Sequence, residues 1–441
     1  MIIEAWLERA AASRGGACAL QTAHGNLSYA QLLKRARAGA GALAREGVRR
    51  GDKVAIALPP GLGFAVALHA CMLAGAIAVP IDVRLGEAER KILAAGAALV
   101  VEEPLADTQD AGVFASAAHH ELSATAAIIH TSGTTSAPKP IELTYENFLW
   151  SALGSAVALG STAEERWLCT LPLSHVGGLS ILIRSAIYQS TAIVHERFET
   201  DRVLHALRSE GITQVSLVAT TLSRLLDGGL ARPAALRCAL TGGGPVPDAL
   251  IARAREAGVP VAPTYGLTEA CSQVTTNGPP LFCTRLRTAE DGEILVAGPT
   301  VARGALAGDG WLHTGDEGHL DEHGQLHVTG RKADTIITGG ENVAPTEVES
   351  VLEAHPAVLE AAVLGRSDEQ WGEAVVAIVL VRDGHWDAHE LRAHCAKHLA
   401  PYKVPKRVHF TSTPLPRTRS GKLLRKDLAS YACDGENSRL A

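Results

Sequence analysis

No charged side chain occurs between Val54 and Ile81, in VAIALPPGLGFAVALHACMLAGAIAVPI. An uncharged run of that length belongs either across a bilayer or inside a layered fold. Pro59-Pro60 interrupts it early, and Gly61, Gly63, His69, Gly75 and Pro80 punctuate the remainder. Its Ala-rich composition is also weakly hydrophobic for a helix facing lipid. The run therefore reads as a buried strand, a helix from about Phe64 to Ala74 and a second strand, with no membrane span. Elsewhere in the first 330 residues, apolar runs rich in Val, Ile and Leu alternate with Ala-rich helical stretches. VAIAL, AIAVPID, ALVV, AAIIHT, TAIVHE, QVSLV, LRCALTG and VPVAPTYG read as short buried strands, most followed by a helix. That alternation is the pattern of α/β layers with largely parallel sheets.

From about Asp291 the pattern changes to closely spaced strands with Gly and Asp turns, GEILVAG, GWLHTGD and GQLHVTG, consistent with a small antiparallel subdomain. Beyond Gly330 come a strand pair and a helix, with Thr346 as candidate cap before EVESVLEAH and His355-Pro356 closing it. A strand-rich segment, the helix HELRAHCAKHLA and a basic tail follow. The expected fold is α/β: a large N-terminal domain (1–330) of layered α/β subdomains plus the antiparallel subdomain, then a small α+β C-terminal domain (331–441).

Composition narrows the functional classes. A chain of 441 residues, 46% hydrophobic and 20% charged, has the content of a folded protein of two or three domains and not of a disordered one. Its 41 basic against 47 acidic side chains leave no basic excess for neutralising phosphates, which argues against nucleic acid as a partner. Eight cysteines lie far apart with no CxxC pair, as suits a reducing, cytoplasmic compartment. MIIEAWLERAAASRGG places Glu4 and Glu8 among its apolar residues, so it reads as an amphipathic first helix and not as a signal peptide. Oligomeric state, a homo-oligomer included, stays open.

Among the 18 histidines, His319, His323 and His327 have a spacing that would align three rings on one helical face as metal ligands. Gly318 and Gly324 oppose a helix, and Asp321-Glu322-His323-Gly324 looks like a hairpin turn between strands. On strands the three rings would not converge.

The segment AAIIHTSGTTSAPKPIELTYEN carries chemistry of its own. Five of the seven residues from His130 to Ser136 are small hydroxyl side chains, and with Gly133 they can wrap N–H and O–H groups around phosphate oxygens. Lys139 adds a point charge. The spacing is not that of a Walker A loop, and an ordinary Ser/Thr turn after a strand has the same composition.

HTSGTTSAPK resembles the phosphate-binding signature of the adenylate-forming superfamily, which includes acyl-CoA ligases, nonribosomal adenylation domains and luciferases. The resemblance assigns ATP to Thr131, Ser132, Gly133, Thr134, Thr135 and Lys139; Ser136 stands where the family usually has Gly. Further motifs follow in family order. Tyr265-Gly266-Leu267-Thr268-Glu269 resembles the second nucleotide motif, in which the aromatic packs on adenine, Thr268 meets the α-phosphate and Glu269 holds Mg²⁺. Gly242, Gly243 and Gly244 resemble the loop whose backbone approaches adenine. Asp316 and Arg331 match the ribose-binding pair. Ala333 occupies the hinge position, usually Asp or Lys, about which the C-terminal domain moves. Lys422, in LPRTRSGKLLRKDL, matches the lysine that bridges carboxylate and α-phosphate oxygens, where negative charge accumulates. This chain has ten lysines, five in its last fifty residues, so on composition alone Lys422 reads as a solvated basic tail.

Within the superfamily the chain is most similar to o-succinylbenzoate:CoA ligases of menaquinone biosynthesis, through CMLAGAIAVPIDVRLGEAER, LPLSHVGGLSILIRS and TGGENVAPTEVESVLEAHPAV. The resemblance implies an AMP-forming acid:thiol ligase using ATP, Mg²⁺ and coenzyme A on a small carboxylate. His175, Gly178, Ser180, Arg184 and Thr220 would line the acid, and Ala219 replaces a usual Pro. Gly340 belongs to the face presented to CoA. One carboxylate of a dicarboxylic acid is activated and the other needs a cation, for which Arg184 is the candidate; a snorkelling helix arginine is the alternative. Other aryl- or acyl-CoA ligases, a stand-alone enzyme loading a carrier protein, and a regulatory relative share parts of this pattern.

Overall fold

Strand Lys53–Ile56, helix Leu62–Ala74 and strand Ile77–Pro80 take up the uncharged run in the computed structural model, which describes residues 1–105, 118–131, 138–382, 387–418 and 423–428. Every residue of that helix from Phe64 to Leu73 is buried, so its lack of charge follows from having protein on all sides. The neighbouring helix, Tyr29–Arg45, comes close enough that a Cβ on Gly39 would stand 3.0 Å from the Cβ of Ala70. No helix of the described residues is long and apolar enough to cross a membrane.

The contacts divide the chain into two compact units. The first, Met1–Gly243 with Ala254–Arg285 and Val296–Leu312, holds two large sheets and a small two-stranded one. One has the order Leu99–Val101, Lys53–Ile56, Ile77–Pro80, Thr125–Thr131, Lys139–Thr144, parallel except for the last strand. The other has eight strands: Ser272–Thr276, Val261–Leu267, Cys238–Thr241, Gln214–Leu217, Arg166–Cys169, Thr191–Val194, Cys18–Thr22 and Gly25–Ser28. Its middle six are parallel and its two outer pairs antiparallel. All eight runs read as strands in the sequence are strands here. The N-terminus differs: Ile2–Glu4 pairs with His119–Glu121, and the first helix begins only at Trp6.

That pairing brings Trp6 onto a buried histidine. The His120 ring stacks on Tyr145 at 4.3 Å, meets Trp6 edge-on at 4.9 Å, and accepts the Trp6 backbone N–H at 3.3 Å. Burial, with His69 and His119 adding to it, depresses His120 to about 3, and burial alone depresses His69 to about 4. Both are neutral in the fold but protonate near pH 6.5 once unfolded. Above pH 6.5 they therefore leave stability unchanged; as pH falls from 6.5 toward 4 the unfolded chain takes up protons that the fold refuses. At roughly 1.4 kcal/mol per pKa unit, His69 alone costs on the order of 3 kcal/mol by pH 4. Denaturant melts between pH 7 and pH 4 should show this loss, and His69→Leu with His120→Phe should flatten it. An unchanged slope in the double variant contradicts the assignment.

The second unit is Gly244–Arg253, Leu286–Leu295 and His313–Ala441. Leu312–Leu320 and Leu326–Arg331 pair antiparallel around a turn closed by Asp321 and Gln325, within a four-stranded sheet that also contains Arg285–Thr288 and Glu293–Ala297. His319 and His327 face each other across the hairpin and stack at 5.1 Å, whereas His323 sits in the turn beside Glu322. Two of the three rings thus meet and the third does not. Among the described residues no group of three or more His, Cys, Asp or Glu side chains is arranged to hold a metal ion.

Helix Pro345–Glu353 starts two residues earlier than a Thr346 cap allows, because proline, lacking an N–H and fixed in φ, suits the first helical position. The Thr346 hydroxyl donates instead to the Thr329 carbonyl. A second sheet joins Glu341–Val343, Ile336–Thr338, Gly372–Val381 and Val358–Asp368, with Arg407–Thr411 parallel to Gly372–Val381. Its core packs Val348, Leu352, Val363, Val375, Leu391 and Phe410.

Candidate active site

The eight-stranded sheet reverses direction at its centre. From Arg166–Cys169 the chain crosses over helix Val176–Tyr188 to Thr191–Val194 on one side; from Gln214–Leu217, on the other side, it crosses over helix Ala219–Asp227 to Cys238–Thr241, farther away. Adjacent parallel strands whose connections leave in opposite directions open a crevice beyond their carboxyl ends, where ligands of open α/β sheets bind. Expected site residues leave the sheet at this edge. His175 and Gly178 follow Cys169, Thr220 follows Leu217, Gly242 follows Thr241, and Tyr265 to Leu267 end the next strand, with Thr268 and Glu269 directly after it.

His175 caps helix Val176–Tyr188, its carbonyl accepting from the N–H groups of Gly178 and Leu179. Gly178 has no room for more: an added Cβ would lie 2.4 Å from the Pro172 carbonyl oxygen. Burial lowers the His175 pKa, Asp82 opposing and Arg84 reinforcing the shift. Arg84 holds Asp82 through its Nε at 2.8 Å and a second nitrogen at 2.7 Å, immediately after strand Ile77–Pro80. Sequence reading missed this pair; its one signal was an acidic and a basic residue directly after a buried strand.

Ser180 and Arg184 are four residues apart, hence on one face of the helix. The Ser180 hydroxyl is buried without a hydrogen-bond partner. Arg184 is only 2% exposed, which rules out the snorkelling alternative. One guanidinium nitrogen donates to the Ser151 hydroxyl at 2.9 Å, Ser151 donates to the Cys271 carbonyl at 2.6 Å, and Nε has no partner. The guanidinium also lies 5.8 Å from the Trp167 ring centre, and no carboxylate among the described residues pairs with it. A cation desolvated this far with so few partners is short of an anion. Ser151, inside a helix, carried no sequence signal.

The strand Val261–Leu267 bulges between Tyr265 and Gly266, and a single 3₁₀ turn, Thr268–Ala270, follows. Gly266 is enforced by packing, since its Cβ would fall 1.9 Å from the Ser272 carbonyl oxygen. The Glu269 carbonyl accepts from the Ala302 N–H at 2.8 Å. Its carboxylate makes no hydrogen bond or ion pair with any described residue, so it is a hard oxygen donor available to Mg²⁺, and the residues present fit that ion. In the glycine run, Gly242 is packed 2.6 Å (as Cβ) from the Thr264 carbonyl oxygen and Gly243 has φ +84, while Gly244 faces open space. Thr131 ends its strand opposite Lys139. Ser132, Gly133, Thr134, Thr135 and Ser136 lie outside the described residues, as does Lys422.

In the second unit Asp316 and Arg331 are cross-strand partners, with Nε to Oδ1 at 2.6 Å. Ala333 is exposed in the 3₁₀ turn Lys332–Asp334, and Lys332 reaches Asp291 at 2.6 Å and Glu293 at 2.8 Å. Gly340 has φ +85 in the turn after Ile336–Thr338, where the Gly339 N–H donates to the Trp371 carbonyl.

A sequence profile for AMP-binding enzymes matches residues 7–306, and one for the AMP-binding enzyme C-terminal domain matches residues 347–422. The chain belongs to the AMP-binding enzyme family. Within this family it is 37% identical to a 2-succinylbenzoate–CoA ligase of Bacillus licheniformis, over 96% of this chain and 98% of that one. The corresponding ligase of Bacillus subtilis is 38% identical over 91% and 92%. Among solved structures, o-succinylbenzoate CoA synthetase from Bacillus subtilis in complex with its acyl-adenylate intermediate superposes with a TM-score of 0.91, at 36% identity over the whole of both chains. ATP-bound MatB from Rhodopseudomonas palustris gives 0.88 at 27% identity, over 98% of this chain and 99% of that one. The family and the mixed α/β architecture therefore agree with the motifs.

Proposed function

We propose that this chain is an ATP-dependent acid:CoA ligase that converts o-succinylbenzoate to its acyl-adenylate and then to its CoA thioester, as in menaquinone biosynthesis. The observation that carries the choice of acid is Arg184, buried without a carboxylate partner on the helix that His175 begins. Near-full-length identity to proteins named for that substrate supports it. In the first step one carboxylate oxygen attacks the α-phosphorus of ATP in line, and the bond to pyrophosphate breaks. Lys422 and Thr268 stabilise the charge that develops. Thr131 to Thr135, with Lys139, hold the phosphates. Gly242, Gly243, Gly244, Tyr265 and Gly266 contact the adenine, and Asp316 with Arg331 the ribose. Glu269 would hold Mg²⁺, which supplies Lewis-acid neutralisation of phosphate charge.

His175, Gly178, Ser180 and Thr220 surround the acid, and Arg184 meets its second carboxylate. The C-terminal domain, residues 331–441, then turns about Ala333, withdrawing Lys422 and presenting the face around Gly340. The CoA thiolate attacks the activated carbonyl and AMP leaves. One site thus serves two chemistries by exchanging a wall. Seven unpaired cysteines among the described residues support a cytoplasmic setting.

Arg184→Met tests the assignment of the acid. Losing a charge-assisted contact of about 1.5–3 kcal/mol should raise KM for o-succinylbenzoate by roughly ten- to a hundredfold and leave KM for ATP unchanged. Equal rises in both constants would make Arg184 a packing residue and remove the dicarboxylate argument.

A further inference from the structure

The two contacts that orient Arg184, the Ser151 hydroxyl and the Trp167 ring, are both neutral. Ser151 lies on helix Tyr145–Leu159 and is 1% exposed. A serine inside a helix commonly turns its hydroxyl back to the carbonyl four residues before it. Ser151 instead donates its one proton across the fold to the Cys271 carbonyl at 2.6 Å, so only its lone pairs face the Arg184 nitrogen at 2.9 Å. Both ends of that relay are fixed. One turn earlier on the same helix, the Asn147 amide donates to the carbonyls of Pro299 at 2.8 Å and Val301 at 3.1 Å, which sets the register of Ser151. On the far side, Cys271 and Ser272 have φ of +52 and +94, left-handed values that two adjacent non-glycine residues keep only where their surroundings enforce them. Trp167 is held too, its indole N–H donating to the Ser216 hydroxyl at 3.0 Å.

The chemistry of the group at position 151 decides what Arg184 has left to offer. A carboxylate there would pair with the guanidinium and neutralise it. A methyl group would leave the cation without a fixed direction, and a planar fork meets a carboxylate two-pronged only when its edge is aimed. A hydroxyl whose proton is already committed does neither: it accepts one N–H, adds no charge, and leaves Nε unpartnered. We propose that Ser151 is a positioning residue for substrate choice, aiming Arg184 while keeping its charge available, so that the pocket selects an acid with a second carboxylate. The inference rests on the role given to Arg184 above.

The test measures kcat/KM for pyrophosphate release with o-succinylbenzoate and with a monocarboxylic analogue that keeps the activated carboxylate. Ser151→Ala should lower kcat/KM for o-succinylbenzoate roughly three- to tenfold through KM, the effect of one hydrogen bond. The analogue's kcat/KM and the KM for ATP should stay at their parent values, and Ser151→Thr, which keeps the hydroxyl, should recover most of the loss. Ser151→Asp should lose more on the dicarboxylate, on the order of 10- to 100-fold, because the new carboxylate takes the substrate's place on Arg184. Should Ser151→Asp not fold, the Ala and Thr variants decide. A loss shared equally by the two acids would make Ser151 a packing residue and overturn the proposal, as would no loss on either. Arg184→Met run alongside separates the two claims. If it lowers turnover of the dicarboxylate alone while Ser151→Ala lowers neither, the positioning role alone fails; if it lowers both acids equally, the reading of Arg184 and the role of Ser151 fall together.

Discussion

Lys422→Ala should slow pyrophosphate release by on the order of 10²–10³-fold, the usual cost of removing one electrostatic stabiliser of a developing charge. Conversion of supplied acyl-adenylate to thioester should keep its rate. The asymmetry follows from where charge accumulates. Attack of a carboxylate on the α-phosphorus brings two anions together, and a cation bridging their oxygens acts only in that transition state. When the thiolate attacks the acyl carbon, AMP departs as a stabilised anion and the lysine has no further charge to match. Stopped assays of each half-reaction with the purified variant settle the point. Equal loss in both steps would make Lys422 a structural residue of the tail.

Gly266→Ala should be almost as damaging, for a reason of packing. Its Cβ would sit 1.9 Å from the Ser272 carbonyl oxygen and 2.7 Å from its carbon, both backbone atoms with no rotamer to yield. The strand pair Val261–Leu267 and Ser272–Thr276 must then separate at the bulge between Tyr265 and Gly266. Overpacking costs typically about 1–3 kcal/mol when side chains can adjust, and a backbone clash belongs at or above the upper end. Denaturant melts should show that loss, with both half-reactions falling together. Gly244→Ala is the control: nothing lies within 4 Å of its Cβ, so stability should be unchanged. A Gly266→Ala protein with the parent's melt and activity would contradict the packing described here.

The contrast between those glycines marks what local sequence can carry. The eight buried strands were legible because short Val/Ile/Leu runs separated by helical stretches have few other uses. The strand Arg166–Cys169 was not, although it stands at the centre of the large sheet: its four residues, RWLC, open with a charge and show no alternation. The order of the site motifs was legible, but the shared sheet edge of His175, Thr220, Gly242 and Tyr265 was not. It depends on the crossing from Thr191–Val194 back to Gln214–Leu217, a long-range choice that no short segment encodes. The snorkelling alternative for Arg184 fell for the same reason, since its surroundings include Ser151, Trp167 and Cys271 from three other segments of the chain. Thr346 looked like a cap because it precedes an apolar run; Pro345 beside it was the stronger signal. Asp82 with Arg84 is a contact of side chains whose residue types are ordinary on any surface.

The central claim is the choice of substrate, and pyrophosphate release over a panel of carboxylic acids, with and without CoA, tests it most directly. O-Succinylbenzoate should give the highest rate, with CoA discharging the adenylate to thioester and AMP, and aryl acids lacking the second carboxylate should be poor. No turnover of o-succinylbenzoate alongside turnover of a monocarboxylic aryl acid would contradict it.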